Sequence, residues 1–270
     1  MNHLIISKIT RQKQLNDRYN IFTIKNGKEE YAFSVDEAIL IKYQLQKGME
    51  LDSLLLSEVQ FNDEIRKGYN QAVNYLAKVK RTELEVRKFL KAKIEGDFII
   101  AEVITKLKEM KFLDDEDYAY SYVRTKKNTT DKGPDGIKRE MKEKGIDPAL
   151  IQASLTELSY EEQLASAQRI AAKLVASNKK ESKRMLIQKI EQTLRRKGHT
   201  SSAIQEVTRD LALEDETEGE LEAIRIQGEK AQRKYNKYEG FEFKQKMKQH
   251  LYRKGFAIEL IDQYLEEMME

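Results

Sequence analysis

Along most of this chain apolar residues recur every three or four positions, the spacing that places them on one face of an α-helix. Three stretches carry the pattern in one form: MKEKGIDPALIQASL from Met141, LRRKGHTSSAIQEV from Leu194 and LYRKGFAIELIDQYL from Leu251. In each, an amphipathic helix closes on Lys-Gly and a second helix starts almost at once. One such unit cannot bury its apolar face alone, so the repetition predicts helical units stacked in tandem. Aligning Phe98, Ile146, His199 and Phe256 as the residue that plugs each turn gives intervals of 48, 53 and 57 residues, room for three helices per unit. The first copy reads Lys93-Ile94-Glu95-Gly96-Asp97, a longer turn ahead of Phe98.

Near the N-terminus the period changes. Ile21-Phe22-Thr23-Ile24 and Tyr31-Ala32-Phe33 flank Lys25 to Glu30, and Asn26-Gly27 inside that segment predicts a β-hairpin. Leu4 to Thr10 is a candidate further strand. Ser34-x-x-Glu37 reads as a capping box for a helix through about Gln46, which Gly48 stops. The expected fold is mainly α: tandem three-helix repeats forming an elongated curved array, with a small N-terminal α+β module of hairpin plus helix. The expected boundaries are 1–55 for that module and 56–111, 112–158, 159–213 and 214–270 for four helical repeats.

Turn chemistry is legible within the repeats. Thr82-x-x-Glu85 is a capping box for a helix that buries Val86, Phe89, Leu90 and the stem of Lys93, leaving Arg87, Lys88 and Lys91 toward water. Asp147-Pro148 sets a capping acid before a proline at the first helical position, and Thr200 to Ser202 supplies the cap in the next copy. Gly145, Gly198 and Gly255 sit where a helix ends and positive φ is expected. Gly133-Pro134-Asp135-Gly136 reads as a flexible turn ahead of a helix from Ile137.

Composition narrows the chemistry. Over 270 residues there are two prolines, no cysteine and 35% charged residues, which fits a helix-rich protein and removes disulfides, thiolate catalysis and cysteine zinc sites. The N-terminal apolar run is only Leu4-Ile5-Ile6, far short of a signal peptide or membrane span, so a cytoplasmic protein without membrane contact is expected. No phosphate-binding glycine motif or nucleophile elbow is present, and His3, His199 and His250 are not spaced to share a metal. His199 takes a turn position that is apolar in the other copies and is expected to pack there. Asp114-Asp115-Glu116-Asp117 complements a helix dipole without needing a cation. No catalytic residue, metal or cofactor is expected.

Formal net charge is only +3, but its distribution is uneven. Lys179, Lys180, Lys183, Arg184, Lys189, Arg195, Arg196 and Lys197 fall in one stretch with only Glu181 and Glu191 between them. Residues 230–254 hold nine basic residues against Glu239 and Glu242, whereas 210–222 hold seven acids and no base. Basic helices alternating with acidic connections predict a basic face suited to polyanions or acidic protein surfaces.

Arg81-Thr82-Glu83-Leu84-Glu85-Val86, then Phe112-Leu113-Asp114-Asp115-Glu116-Asp117-Tyr118-Ala119, then Gly133 ahead of a helix that ends at Gly145-Ile146-Asp147, resemble the RecX family over about residues 70–268. The N-terminal strand module is similar to the longer members of Gram-positive bacteria. The resemblance implies a non-enzymatic modulator of the RecA recombinase, a monomer that lies in the groove of the RecA nucleoprotein filament, opposes its growth and promotes its disassembly. It places filament or DNA contacts on basic helices. The candidates are Arg81, Arg87, Lys88 and Lys91 in the first repeat, Lys138, Arg139 and Lys142 in the second, and Lys183, Arg184, Arg195 and Arg196 in the third. A rival reading is a general nucleic-acid-binding scaffold acting without RecA, because Tyr235, Tyr238, Phe241 and Phe243 are interleaved with Lys230, Arg233, Lys234, Lys237 and Lys244.

Overall fold

Alternation of apolar and polar residues builds the N-terminal sheet of the computed structural model, which describes residues 4–13, 17–25, 27–213 and 217–269. Strands β1 (Leu4–Arg11), β2 (Arg18–Lys25) and β3 (Lys28–Asp36) form an antiparallel meander, and the two-residue strand β4 (Glu50–Leu51) pairs with β1. The sheet order is β3-β2-β1-β4. Ile6, Ile21, Phe33 and Val35 point to one face and are buried with Ile39, Leu45, Leu51 and Val59. Asn26 of the expected hairpin turn, His3, and Glu214 to Glu216 of the acidic run lie outside the described residues.

Helix α1 (Glu37–Lys42) corrects the expected cap. Asp36, not Ser34, is the N-cap, accepting from the Ala38 amide, while Ser34 remains in β3 and its Oγ accepts from Arg18. Pairing of β2 with β3 runs through Arg18 and Asp36, so the strand consumes the predicted cap. The helix stops well before Gln46, and Gly48 (φ 87°) shapes the turn into β4 instead of ending the helix. Two residues carry no periodic signal, so the sequence does not predict β4.

The 24-residue helix α2 (Ser53–Leu76) ties this sheet to the rest through a buried ionic network. Asp63 Oδ1 accepts from the Asp36 amide (2.8 Å) and Oδ2 from Arg18 Nη2 (2.8 Å), while Asp36 in turn accepts from Arg66 and Asn70. Helix α2 then packs with α3 (Glu83–Lys91) and α4 (Asp97–Glu109) around Ile65, Val86, Leu90, Val103 and Leu107. The Thr82–Glu85 capping box is present in full.

The expected plug of the first turn is wrong. Phe98 is 66% exposed within α4 and stacks on Phe61, and Ile94 holds the buried position, its amide donating to the Leu90 carbonyl. Gly96 is the N-cap of α4 at φ 108°, so the added turn residues lie after the plug and the alignment on Phe98 runs four positions late. Lys93, outside α3, is exposed and does not lay its stem on the core.

The remaining helices are α5 (Asp115–Thr129), α6 (Pro134–Glu143), α7 (Pro148–Ser154), α8 (Tyr160–Ser177), α9 (Lys183–Lys197), α10 (Ser201–Leu213), α11 (Thr217–Tyr235), α12 (Gly240–Arg253) and α13 (Ile258–Met269). The chain divides into two compact units, one running to Tyr118 and including Lys144–Ile146, the other comprising Ala119–Glu143 and Asp147–Glu270. In the second, α8, α9 and α10 close around Ala167, Ile170, Ile190, Leu194 and Ile204. Helices α11, α12 and α13 repeat the arrangement around Ile224, Met247, Leu251, Phe256 and Leu265.

Each Lys-Gly turn does more than end a helix. Gly145, Gly198 and Gly255 adopt φ of 78°, 81° and 87°, and the carbonyl of the preceding lysine is received at the N-terminus of another helix. In the first unit Thr82 Oγ1 donates to the Lys144 carbonyl (2.8 Å). In the second, Ser182 Oγ donates to the Lys254 carbonyl (2.6 Å) and the Gly133 amide to the Lys197 carbonyl (3.1 Å). The segment from Gly133 to Gly136 is therefore no flexible turn. It starts α6 at Pro134, and its amides are fixed by a helix end more than sixty positions later in the chain.

Candidate functional site

Helix α6 buries Ile137 and Met141, which leaves Lys138, Arg139 and Lys142 on the faces away from that core. Helix α9 ends in Arg195-Arg196-Lys197, cations that complement the negative end of its dipole. The turn at Gly198 docks this end on the start of α6, with the Asp135 amide donating to the Gly198 carbonyl (3.0 Å). Docking brings Arg195 to the side of α6 that carries its bases. The result is an open groove of about 390 Å³ lined by Asp135, Lys138, Arg139, Lys142, Arg195, Gly198, His199, Ser201 and Ile204.

Four of the expected contact residues thus meet at one place. Arg139 also braces it, since its Nη2 donates to the Arg196 carbonyl (3.0 Å). Arg195 is largely exposed, with Glu191 no nearer than 3.9 Å. Lys183 and Arg184 do not join them: they start α9, eleven positions or about 16 Å of helix from Arg195. Lys183 donates to the Ala212 carbonyl (2.9 Å). In the first unit Arg81 lies over the Tyr75 ring (4.8 Å), and Arg87 Nε donates to Glu83 (2.6 Å). Lys88 and Lys91 are exposed there, with Lys91 3.7 Å from Asp97. Asp135, Gly198 and Ser201 were not singled out as site residues, because nothing in their own sequence neighbourhood places them beside the bases of α6.

His199 is the floor of this arrangement. It is 4% exposed, its Nε2 donates to the Asp131 carbonyl (3.2 Å), and its Nδ1 has no partner among the described residues. Burial holds its pKa below the ordinary imidazole value, outweighing the help of the Asp131 carbonyl. The unfolded chain therefore binds a proton that the folded chain resists, and stability contributed at neutral pH is lost as pH falls below about 6.5. Phe256 fills the equivalent place in the last repeat, so His199→Phe is expected to flatten the fall in stability between about pH 6.5 and 5. Urea unfolding at several pH values checks this; an unchanged pH slope would assign the loss to other groups, His250 among them.

The acidic run is capping chemistry. Asp115 accepts from the Glu83 amide (2.8 Å), Asp114 from the Asp117 amide (2.9 Å), and Asp117 pairs with Lys80 (2.6 Å). Burial raises the Asp115 pKa. Among the described residues no cluster of three or more His, Cys, Asp or Glu is placed to hold a metal ion. Near the C-terminus Tyr235 and Phe243 pack against the last core, Lys237 and Lys246 lie over the Tyr238 ring, and Phe241 is 82% exposed. Among the described residues no helix is long and apolar enough to cross a membrane.

Comparison with known proteins accounts for the repeated architecture. Residues 4–52 match the N-terminal domain of regulatory protein RecX, and residues 114–155 match the second RecX three-helix domain. The third RecX three-helix domain matches twice, over 161–208 and 218–265. A regulatory protein RecX of Halalkalibacterium halodurans is 42% identical over 97% of this chain and 99% of its own length. The chain belongs to the RecX family. The RecX of Bacillus cereus is 41% identical over 98% of both chains. A crystal structure of a regulatory protein RecX aligns with a TM-score of 0.67 at 37% identity, over 77% of this chain and 99% of that one. RecX of Lactobacillus salivarius aligns at 0.54 and 37% identity, over 57% of this chain and 99% of that one. RecX proteins are regulatory proteins and not enzymes. The double match to the third RecX domain makes α11–α13 a second copy of α8–α10.

Proposed function

We propose that this RecX-family chain regulates the RecA recombinase: it binds the RecA nucleoprotein filament, and DNA with it, through basic helical faces, opposing filament growth and promoting disassembly. The observation that supports this reading best is the convergence of Lys138, Arg139, Lys142 and Arg195 on one groove in a chain of RecX type. Contacts of this kind release counterions and weaken steeply as salt rises. In this reading the protein acts as a monomer in the cytoplasm, without a cofactor, with a module of residues 1–55 followed by four repeats over 56–111, 112–158, 159–213 and 214–270.

The test is RecA's DNA-dependent ATP hydrolysis and strand exchange with and without the protein at several salt concentrations. Inhibition at stoichiometric protein that fades with salt is expected, and no effect at stoichiometric protein overturns the reading. A second reading, a nucleic-acid-binding scaffold independent of RecA, is favoured by Tyr238 between two lysines and the exposed ring of Phe241. Tight DNA binding without any effect on RecA would establish it.

A further inference from the structure

We propose that the groove between α6 and the start of α10 holds backbone phosphates of a nucleic-acid strand. The inference rests on the DNA-binding part of the proposed function and not on its RecA part. Lys138 and Lys142, one turn apart on α6, have no hydrogen-bond or ion-pair partner among the described residues, and Asp135 is the one acid that lines the groove. Arg195 faces them across the docked turn, its nearest carboxylate at 3.9 Å.

The opposite wall adds donors of another kind. Ser201 is the first residue of a 13-residue helix, where the amide has no intrahelical acceptor and the helix dipole favours an anion. Beside it His199, 4% exposed, adds no donor: Nε2 carries the ring proton toward the Asp131 carbonyl, which leaves Nδ1 an acceptor, and the ring serves as packing under the groove. The Gly133, Asp135 and Arg139 hydrogen bonds to the end of α9 fix the backbone that carries these groups, so binding has to order only the side chains of Lys138, Lys142 and Arg195.

Charge balance favours phosphates over an acidic protein segment. An acidic segment brings a charge only where Asp or Glu stands, whereas every nucleotide of a strand brings a phosphodiester, so a strand matches a groove lined by four cations and one acid at any register.

The experiment uses the full chain without RecA and a fluorescein-labelled single-stranded thymidine oligonucleotide, followed by anisotropy at about 50 and 200 mM salt, with the duplex form in parallel. The paired variant Lys142→Gln/Arg195→Gln is compared with Lys47→Gln/Lys106→Gln, which removes two exposed cations of the first unit that are not among the candidate contacts. The groove pair is expected to weaken binding about tenfold or more and to reduce the salt slope by roughly 1.5 to 2, and the control pair to change affinity less than about threefold. Equal losses in both pairs, or none in the groove pair, overturn the proposal. Circular dichroism and unfolding midpoints like those of the parent chain tie a loss to the site; if both are lowered, Lys138→Gln replaces the pair and must by itself reduce the salt slope. RecA ATP hydrolysis separates the two levels. Loss of inhibition with oligonucleotide affinity intact makes the groove a protein contact and sinks this inference. Groove-dependent oligonucleotide binding by a chain that leaves RecA unaffected upholds it and sinks the RecA reading.

Discussion

Gly198→Ala is expected to cost roughly 4 kcal/mol or more and to lower the unfolding transition of the second unit, because strain and lost hydrogen bonds act together there. A Cβ at this position would stand 2.1 Å from the Gly136 amide nitrogen and 2.6 Å from its Cα, backbone atoms of a helix start that cannot rotate aside. The φ of 81° adds about 1 to 2 kcal/mol for any residue with a side chain. Relief requires the turn to withdraw from α6, which breaks the bonds from the Gly133 and Asp135 amides and leaves their donors unpaired. Gly48→Ala is the control: its φ is 87°, but nothing lies within 4 Å of the added carbon, so only the backbone term of about 1 to 2 kcal/mol remains. Urea unfolding of both variants measures the difference. Equal costs would show that the junction at Gly198 is not closed in solution.

Asp63→Ala is expected to cost about 3 to 5 kcal/mol in the first unit while leaving the second unit's transition in place. Asp63 is 3% exposed, and its two oxygens hold the Arg18 guanidinium, itself mostly buried, and the Asp36 amide. Deleting the carboxylate leaves the mostly buried Arg18 charge with Ser34 but without its counter-ion, and the Asp36 amide without an acceptor, and that penalty exceeds the value of the pair itself. Asp63→Asn keeps an acceptor for the amide and is expected to cost less. Hydrogen exchange reads the effect locally: protection should fall on β2, β3 and the middle of α2, and remain on α8 to α13. Uniform loss across both units, or no loss on β2 and β3, would contradict the network's role in fastening the sheet to α2.

Local chemistry was legible without coordinates wherever a feature depends on residues a few positions apart. The Thr82–Glu85 box, Asp147 ahead of Pro148, and the left-handed glycines at 145, 198 and 255 are of this kind. Where two local signals compete, neighbours in space decide. Ser34 carries a capping pattern as good as that of Asp36, and cross-strand pairing with β2 removes it from contention. Phe98 is the larger apolar residue beside the first turn, yet Ile94 is the one that meets Gly68 of α2, where no Cβ stands in its way.

The candidate site follows the same division. Its basic residues could be picked from charge runs, but charge alone does not separate Lys142, facing an open groove, from Arg87, already held by Glu83, or Arg81, spread over Tyr75. By itself the sequence determined the repeat, the helix starts at Thr82 and Asp147, the helix ends at the three Lys-Gly turns, the absence of cysteine chemistry and the family, because these are written in spacing and residue type. Only the tertiary structure decided what the Lys-Gly turns are for and which cations share a surface. The carbonyl at Lys197 and the amide at Gly133 have no preference for each other until two helices stacked by their buried faces bring them to 3.1 Å.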